Sequence, residues 1–340
     1  MNFLAAFWNV FWNGSDQLWI SILLFAFGLF LLIKGGDWFV DGSVGLARRF
    51  HLPELIIGAT IVSIGTTLPE VMVSTTAALK GMGDTAYGNA IGSIICNTAL
   101  ISGLTIAVMP SSVDRKTLRL PVAFFFLSAV FYTFVTYFFG RFDRWSGIVL
   151  LCLFVLYMVS VLLTSREAPL ASPEEPQETS QEEAPLWKDL LGLILGAACI
   201  AIGANLLVTN GTNIATGLGV PESVVALTFV ALGTSLPELT TAITSLIKGH
   251  SSLSLGNIIG ANLFNLVLVS GISITVNPFA VPTQKTLAGI NGALIVDVPL
   301  MLIVMLLMTL PALFKQRLSR KTGVALLFIY AAFCAYQFFL

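Results

Sequence analysis

The chain has 340 residues, of which 56% are hydrophobic and only 10% charged, and its formal net charge is −1. Its mean hydropathy is +0.90, and a soluble globule carries about 25% charged residues, so there is too little polar surface here to face water. An all-α polytopic membrane protein, solvated by a lipid bilayer, is expected instead. The near-neutral charge, with no basic patch, excludes nucleic acid as a partner. Cys96, Cys152, Cys199 and Cys334 stand singly in apolar runs and offer neither metal-ligand spacing nor a disulfide framework.

Residues 1–16 have no basic start and no small-residue cleavage site, so they do not resemble a removed signal peptide; Trp8 and Trp12 suit an interfacial segment. A membrane span needs about 20 mostly apolar residues. Ten are expected in chain order: 17–34, 52–79, 84–109, 117–139, 146–164, 187–210, 221–247, 252–276, 288–311 and 322–340. Between the fifth and sixth lies 165–186, acidic and rich in Pro, Ser and Gln, which cannot bury enough surface to fold and is expected to be a disordered linker. The chain is thus divided into 1–164, the linker 165–186, and 187–340. With both termini outside, 13 of the 17 Lys and Arg residues fall on the cytoplasmic side and 4 outside, which fixes the orientation and supports the count of spans.

The chain repeats itself. Residues 58–104 align with 226–272 at a constant offset of 168, with 18 of 47 positions identical. The first copy holds GTTLPE (65–70) and GNAIGSIICN (88–97), the second GTSLPE (233–238) and GNIIGANLFN (256–265). Five spans precede the linker and five follow it. An odd number turns the second copy over, giving two inverted five-helix repeats, a plan that places a transport site between the repeats near the midplane.

Glu70 and Glu238 take matching places inside spans with no Lys or Arg in either motif. An ionised carboxylate in hydrocarbon is costly unless compensated, and the simplest missing counter-charge is a cation: one divalent ion or two or more monovalent ones. Pro69 and Pro237 each remove a hydrogen bond to the residue four before, Gly65 and Gly233, so a helix break that frees carbonyls around Thr66 and Thr234 is expected. Carboxylates, carbonyls and hydroxyls are hard oxygen donors, and calcium takes 6–8 of them in flexible geometry. Asn97 and Asn265 are a matched pair expected to be ligands. Asn89 and Asn257 are expected to pack or hydrogen-bond. Asp37 and Asp41 read as interfacial caps, Glu54 and Glu222 as first-turn acids, Asp297 as either a packing hydrogen-bonder or a modulator. His51 and His250 have no ligand cluster around them.

The paired G-T-[ST]-L-P-E blocks resemble the two alpha-repeats of the sodium/calcium exchangers, in the cation/calcium antiporter superfamily, and the short prokaryotic members most. That resemblance covers the whole ten-span plan. It implies Glu70 and Glu238 as central ligands, with the carbonyls of Thr66 and Thr234 completing a calcium site. It further implies Thr67, Ser93 and Ser235, with the carbonyls of Ser63 and Ala231, in sodium sites, and Asn97 and Asn265 flanking the centre. Two departures stand out: Ala261 replaces the counterpart of Ser93, and Asn265 stands where some prokaryotic relatives carry aspartate. The expected function is calcium/sodium antiport across a cell inner (plasma) membrane, with Ca2+ and Na+ bound as transported ions and no cofactor. Proton-coupled or potassium-coupled calcium exchange is the alternative. No Ser/His or zinc-ligand arrangement suggests an enzyme. The first and sixth spans are expected to slide or rock, with Gly35-Gly36 and Gly203 as hinges.

Overall fold

The computed structural model describes residues 17–50, 52–110, 112–167, 185–218, 233–283, 286–287 and 289–339. Among the described residues, eight helices are long and apolar enough to cross a membrane. They are α1 (Leu18–Arg49), α2 (Glu54–Leu79), α3 (Gly83–Val108), α4 (Arg115–Phe139), α5 (Arg144–Glu167), α6 (Leu186–Gly217), α8 (Ser251–Val276) and α9 (Ala293–Lys315). Two further helices complete the order: α7 (Leu236–Ile247), and α10 (Arg320–Phe339). Most of the expected span 221–247 upstream of α7 lies outside the described residues, as does most of the expected linker 165–186.

Several boundaries differ from expectation for physical reasons. The first span was expected to stop at residue 34, where Lys34 ends the apolar run; α1 continues to Arg49 because Phe39, Val40, Val44 and Leu46 bury themselves against neighbouring helices. The ninth was expected from residue 288. Instead β3 (Thr286–Leu287) pairs antiparallel with β4 (Ile290–Asn291) around Gly289, whose φ is +78°, and the helix begins at Ala293. A second pair, β1 (Arg141–Phe142) with β2 (Phe279–Ala280), staples the α4–α5 turn to the chain after α8. The expected break at Pro69 is absent: α2 runs helically through it, so the proline removes one hydrogen bond without ending the helix. In the second copy the chain does turn, at Thr234–Ser235, and α7 starts with Pro237 in its first turn.

Matched contacts in the two halves show why the repeated glycines are there. α2 and α7 both end in a left-handed glycine, Gly81 and Gly249, at φ +75° and +83°. Met82 N–H then donates to the Ala77 carbonyl at 2.9 Å and His250 N–H to the Ser245 carbonyl at 2.7 Å, the same cap twice. Gly103 on α3 packs against Gly323 and Leu327 of α10, and its counterpart Gly271 on α8 packs against Gly147 and Leu151 of α5. The third helix of each half therefore rests on the fifth helix of the other.

α1 and α6 lie antiparallel along their whole lengths. Gly28 faces Gly203, Gly35 faces Gly196 and Cys199, and Gly42 faces Asp189 and Gly192; a Cβ on any of the first three would meet the facing helix at 2.9 Å or less. Gly35, Gly36 and Gly203 sit inside unbroken helix. They are close-approach positions in this conformation. The main core joins α3, α4, α5, α8 and α9, with Tyr132, Phe125, Phe142, Tyr157 and Phe264 fully buried in it.

Candidate cation-binding site

The candidate residues recur at helical spacing, which puts each set on one face. On α2, Ser63, Thr66, Thr67 and Glu70 are all buried. On α3, Ser93 and Asn97 follow Asn89 at intervals of four, and on α8 Asn257, Ala261 and Asn265 repeat that spacing. Glu238 is buried in the first turn of α7, just after Thr234 and Ser235. Asn97 and Asn265 stand at the start of π-helical turns, Asn97 second in Cys96–Ser102 and Asn265 first in Asn265–Val269. Such turns leave the regular hydrogen-bond ladder and recur at functional sites.

Glu70 and Glu238 are each 0% exposed, and among the described residues no other Asp, Glu, Lys or Arg is buried. The two carboxylates lie within electrostatic range of each other. None of their four oxygens has a hydrogen-bond partner. The same is true of both amide atoms of Asn97 and of Asn265, and of the hydroxyls of Thr67 and Ser235. These are three repeat-related pairs, and their oxygens make a candidate cation nest. Leaving such groups unpaired costs roughly 1–3 kcal/mol each, and more for charged ones; a bound cation would satisfy the oxygens, while the amide nitrogens of Asn97 and Asn265 are donors that only an acceptor can satisfy.

A surrounding set of hydrogen bonds holds this nest open. Thr66 Oγ1 donates to Asn257 Oδ1 at 3.1 Å, and its counterpart Thr234 Oγ1 donates to Asn89 Oδ1 at 3.3 Å. Each bond crosses from one repeat to the other. Ser63 Oγ lies 2.7 Å from the Gly58 carbonyl and 3.0 Å from the Asn257 carbonyl. Asn89 Nδ2 donates to the Glu70 carbonyl at 3.3 Å and to Ser74 Oγ at 2.8 Å. The hydrogen-bonding role expected for Asn89 and Asn257 is thus a cross-repeat brace. Replacing Asn257 by Leu strands the buried Thr66 hydroxyl and is expected to destabilise the protein by about 1–3 kcal/mol. Thr66→Val in the same chain should recover part of that loss, a non-additivity that a thermal double-mutant cycle measures.

A small hollow of about 10 Å³ lies beside the nest, lined by Phe39 of α1, Ala197, Ile200 and Ala201 of α6, and Pro69 and Pro237 of the two motifs. The paired glycine helices α1 and α6 therefore cover the site from one flank. Gly256 and Gly260 seal another: a Cβ at Gly256 would stand 2.2 Å from the Leu55 carbonyl oxygen, and one at Gly260 2.6 Å from Ala59 Cα, so α8 and α2 meet backbone to backbone. Gly88 and Gly92 meet nothing among the described residues.

Of the expected site residues, Ala231 lies outside the described residues, and so do His51 and Glu222. Ser93 is buried on α3, facing the same way as Asn97 four residues on. Glu54 does occupy the first turn of α2, and it also takes His250, for which the sequence suggested no partner. Asp37 and Asp41 receive Lys248 rather than acting as caps. Three polar groups went unpredicted: Asn262 donates to Thr98 Oγ1 at 2.7 Å beside the site, and the hydroxyls of Thr241 and Ser245 are buried on α7 without a hydrogen bond. Their one sequence signal is a break in the repeat, for they replace Ile94, Val73 and Ala77.

Comparison with known proteins agrees with this geometry. The family model "Sodium/calcium exchanger protein" matches residues 20–163 and 188–339. The Inner membrane protein YrbG of Escherichia coli is 36% identical over 265 residues, 76% of this chain and 81% of that one. The Sodium/calcium exchanger MaX1 of Methanosarcina acetivorans is 26% identical over 94% of this chain and 99% of its own. A solved structure of the sodium-calcium exchanger NCX_Mj, soaked with Na+ and Sr2+, superposes with a TM-score of 0.79 at 28% identity, covering 94% of this chain and 99% of that chain. With the repeated motifs, the buried carboxylate pair and the family match spanning both halves, the chain belongs to the sodium/calcium exchanger family: a multi-pass membrane transporter for cation/calcium antiport.

Proposed function

We propose that this chain exchanges calcium for sodium at a single site formed by Glu70 and Glu238. The observation that carries the reading is the set of repeat-paired, buried and unpartnered oxygens on Glu70, Glu238, Asn97, Asn265, Thr67 and Ser235. Two carboxylates supply a charge of −2, matching one calcium ion or two sodium ions. Calcium accepts 6–8 oxygens in irregular geometry, as a site divided between four helices would offer, whereas magnesium demands stricter octahedral order. The carbonyls of Thr66 and Thr234 complete the calcium shell. Sodium occupies positions beside Thr67, Ser93 and Ser235, with carbonyls of Ser63 and Ala231; a proton would need no such set of hydroxyls.

The wider plan is ten spans in two inverted five-helix repeats, 1–164 and 187–340, joined by an acidic cytoplasmic linker. The doubled caps at Gly81 and Gly249, and the doubled contacts at Gly103 and Gly271, support it. The Lys/Arg distribution supports termini outside the cytoplasm. The bacterial relative named for the inner membrane supports that location. With both ions absent, two carboxylates face each other in low dielectric. That state opposes switching between faces, so transport is an obligatory exchange.

Calcium-45 uptake into proteoliposomes loaded with sodium, against potassium-loaded and pH-jumped controls, tests the reading. Uptake is expected only with internal sodium. Uptake driven by the pH gradient alone would transfer the coupling to protons, and uptake requiring potassium would add that ion to the cycle.

A further inference from the structure

The end of the molecule where α1 finishes and α6 begins is tied together by charge. Lys248, in the cap that ends α7, places Nζ 2.8 Å from Asp41 Oδ1, 3.5 Å from Asp37 Oδ1 and 3.0 Å from the Asp37 carbonyl oxygen. His250 Nδ1 lies 2.8 Å from Glu54 Oε1, joining the start of α8 to the start of α2. Arg49 reaches Asp189 at 3.5 Å, joining the end of α1 to the start of α6. Below these ties α7 lies hard against α1, since a Cβ at Gly36 would stand 2.7 Å from Thr244 Oγ1.

The repeat predicts what occupies the equivalent level at the opposite face. At the offset of 168, Lys248 corresponds to Lys80, but Asp37 and Asp41 correspond to Asn205 and Thr209. His250 corresponds to Met82, while Arg49 and Asp189 correspond to Gly217 and Ser21. The lysine is retained and its carboxylates are not. Packing differs in the same sense: Thr240 touches Gly36, while its counterpart Met72 is 69% exposed.

We propose that Lys248, received by Asp37 and Asp41, is a one-sided latch that sets which face of the exchanger opens by preference. The inference rests on the inverted-repeat reading above. Exchanging the conformations of the two repeats opens the latch face and closes the other, where Lys80 meets Asn205 and Thr209. One closed state is therefore held by ion pairs and the other is not. A single half-exposed ion pair contributes little. Two conformers of a carrier lie close in free energy, however, and there a small increment changes their ratio several-fold.

Hydrogen–deuterium exchange of the ion-free protein in lipid nanodiscs tests the latch. Two regions are compared: peptides of the latch face around Asp37–Arg49 and Thr244–Leu253, and peptides of the opposite face around Thr76–Ala86. Lys248→Met is expected to raise exchange at the latch face by about threefold to tenfold and to lower it at the opposite face. The double variant Asn205→Asp, Thr209→Asp offers Lys80 the missing carboxylates, holds the opposite face closed, and should shift both regions the same way as Lys248→Met. Unchanged exchange at both faces in Lys248→Met, or a rise at the latch face with no reciprocal fall, overturns the proposal. The readout needs no ion flux. Absence of sodium-driven uptake would strike the ion assignment and leave this result standing.

Discussion

Glu70→Gln and Glu238→Gln, made singly, are each expected to lower sodium-driven calcium uptake at least a hundredfold, about the limit of detection, in a protein that still folds. Each substitution halves the charge of a site whose other groups are neutral. At an effective dielectric of about 20, a divalent ion roughly 2.4 Å from a carboxylate oxygen gains on the order of 10 kcal/mol of direct attraction. Desolvation offsets much of that, yet a loss of only about 2.8 kcal/mol already accounts for a hundredfold. Stability should move the opposite way from activity. Among the described residues Glu70 and Glu238 are the two buried charged side chains, and neither has a hydrogen-bond partner, so a neutral amide relieves a burial penalty. The ion-free variants are expected to melt at or above the midpoint of the ion-free parent. Calcium should raise the midpoint of the parent and leave that of the variants where it is. Normal transport by either variant would remove Glu70 and Glu238 from the site.

Gly260→Val is expected to be a strongly destabilising change on α8. Its new Cβ would stand 2.3 Å from Ser63 Oγ and 2.6 Å from Ala59 Cα. The Ala59 atom belongs to backbone and cannot rotate aside, so α8 and α2 must separate, and with them the Ser63 and Thr66 bonds to Asn257. A loss of about 3 kcal/mol or more follows, the upper end for overpacking, and the thermal midpoint in detergent should fall sharply. Gly103→Ala is the matched control, for its Cβ would first meet the flexible Leu327 side chain, at 3.1 Å. An unchanged midpoint in Gly260→Val would mean that α2 and α8 do not pack as described.

The parts of the candidate site that the sequence made legible are those that obey the repeat. Glu70 with Glu238, Asn97 with Asn265, and Thr67 with Ser235 are matched at one offset, and a carboxylate inside an apolar run has few reasons to be there. The repeat also exposed the spans around them, since the motifs recur five helices apart. What escaped was set by neighbours that local sequence does not contain. The end of α1 beyond Lys34 is helical because of what α6 and α7 bury, and no apolar run announces that. Pro69 and Pro237 occupy equivalent places, yet one lies inside a continuous helix and the other in the first turn of a new one. Nearly identical motifs thus adopt different backbones, as tertiary packing decides how each missing hydrogen bond is absorbed. Asn262, Thr241 and Ser245 were invisible for the converse reason: they break the repeat, so matching the copies passed over them.

In the proposed exchange, the neutrality of Asn97 and Asn265 sets the electrical character of the cycle. With Glu70 and Glu238 the only buried charges among the described residues, a site filled by calcium would cross the bilayer carrying zero net charge, and membrane voltage would have nothing to act on. Filled by two sodium ions it is also neutral, and the whole cycle is silent electrically. A third sodium ion leaves +1, on which about 2.3 kcal/mol per 100 mV acts. Voltage then drives the sodium limb alone, and the current carried per calcium ion counts the sodium ions directly.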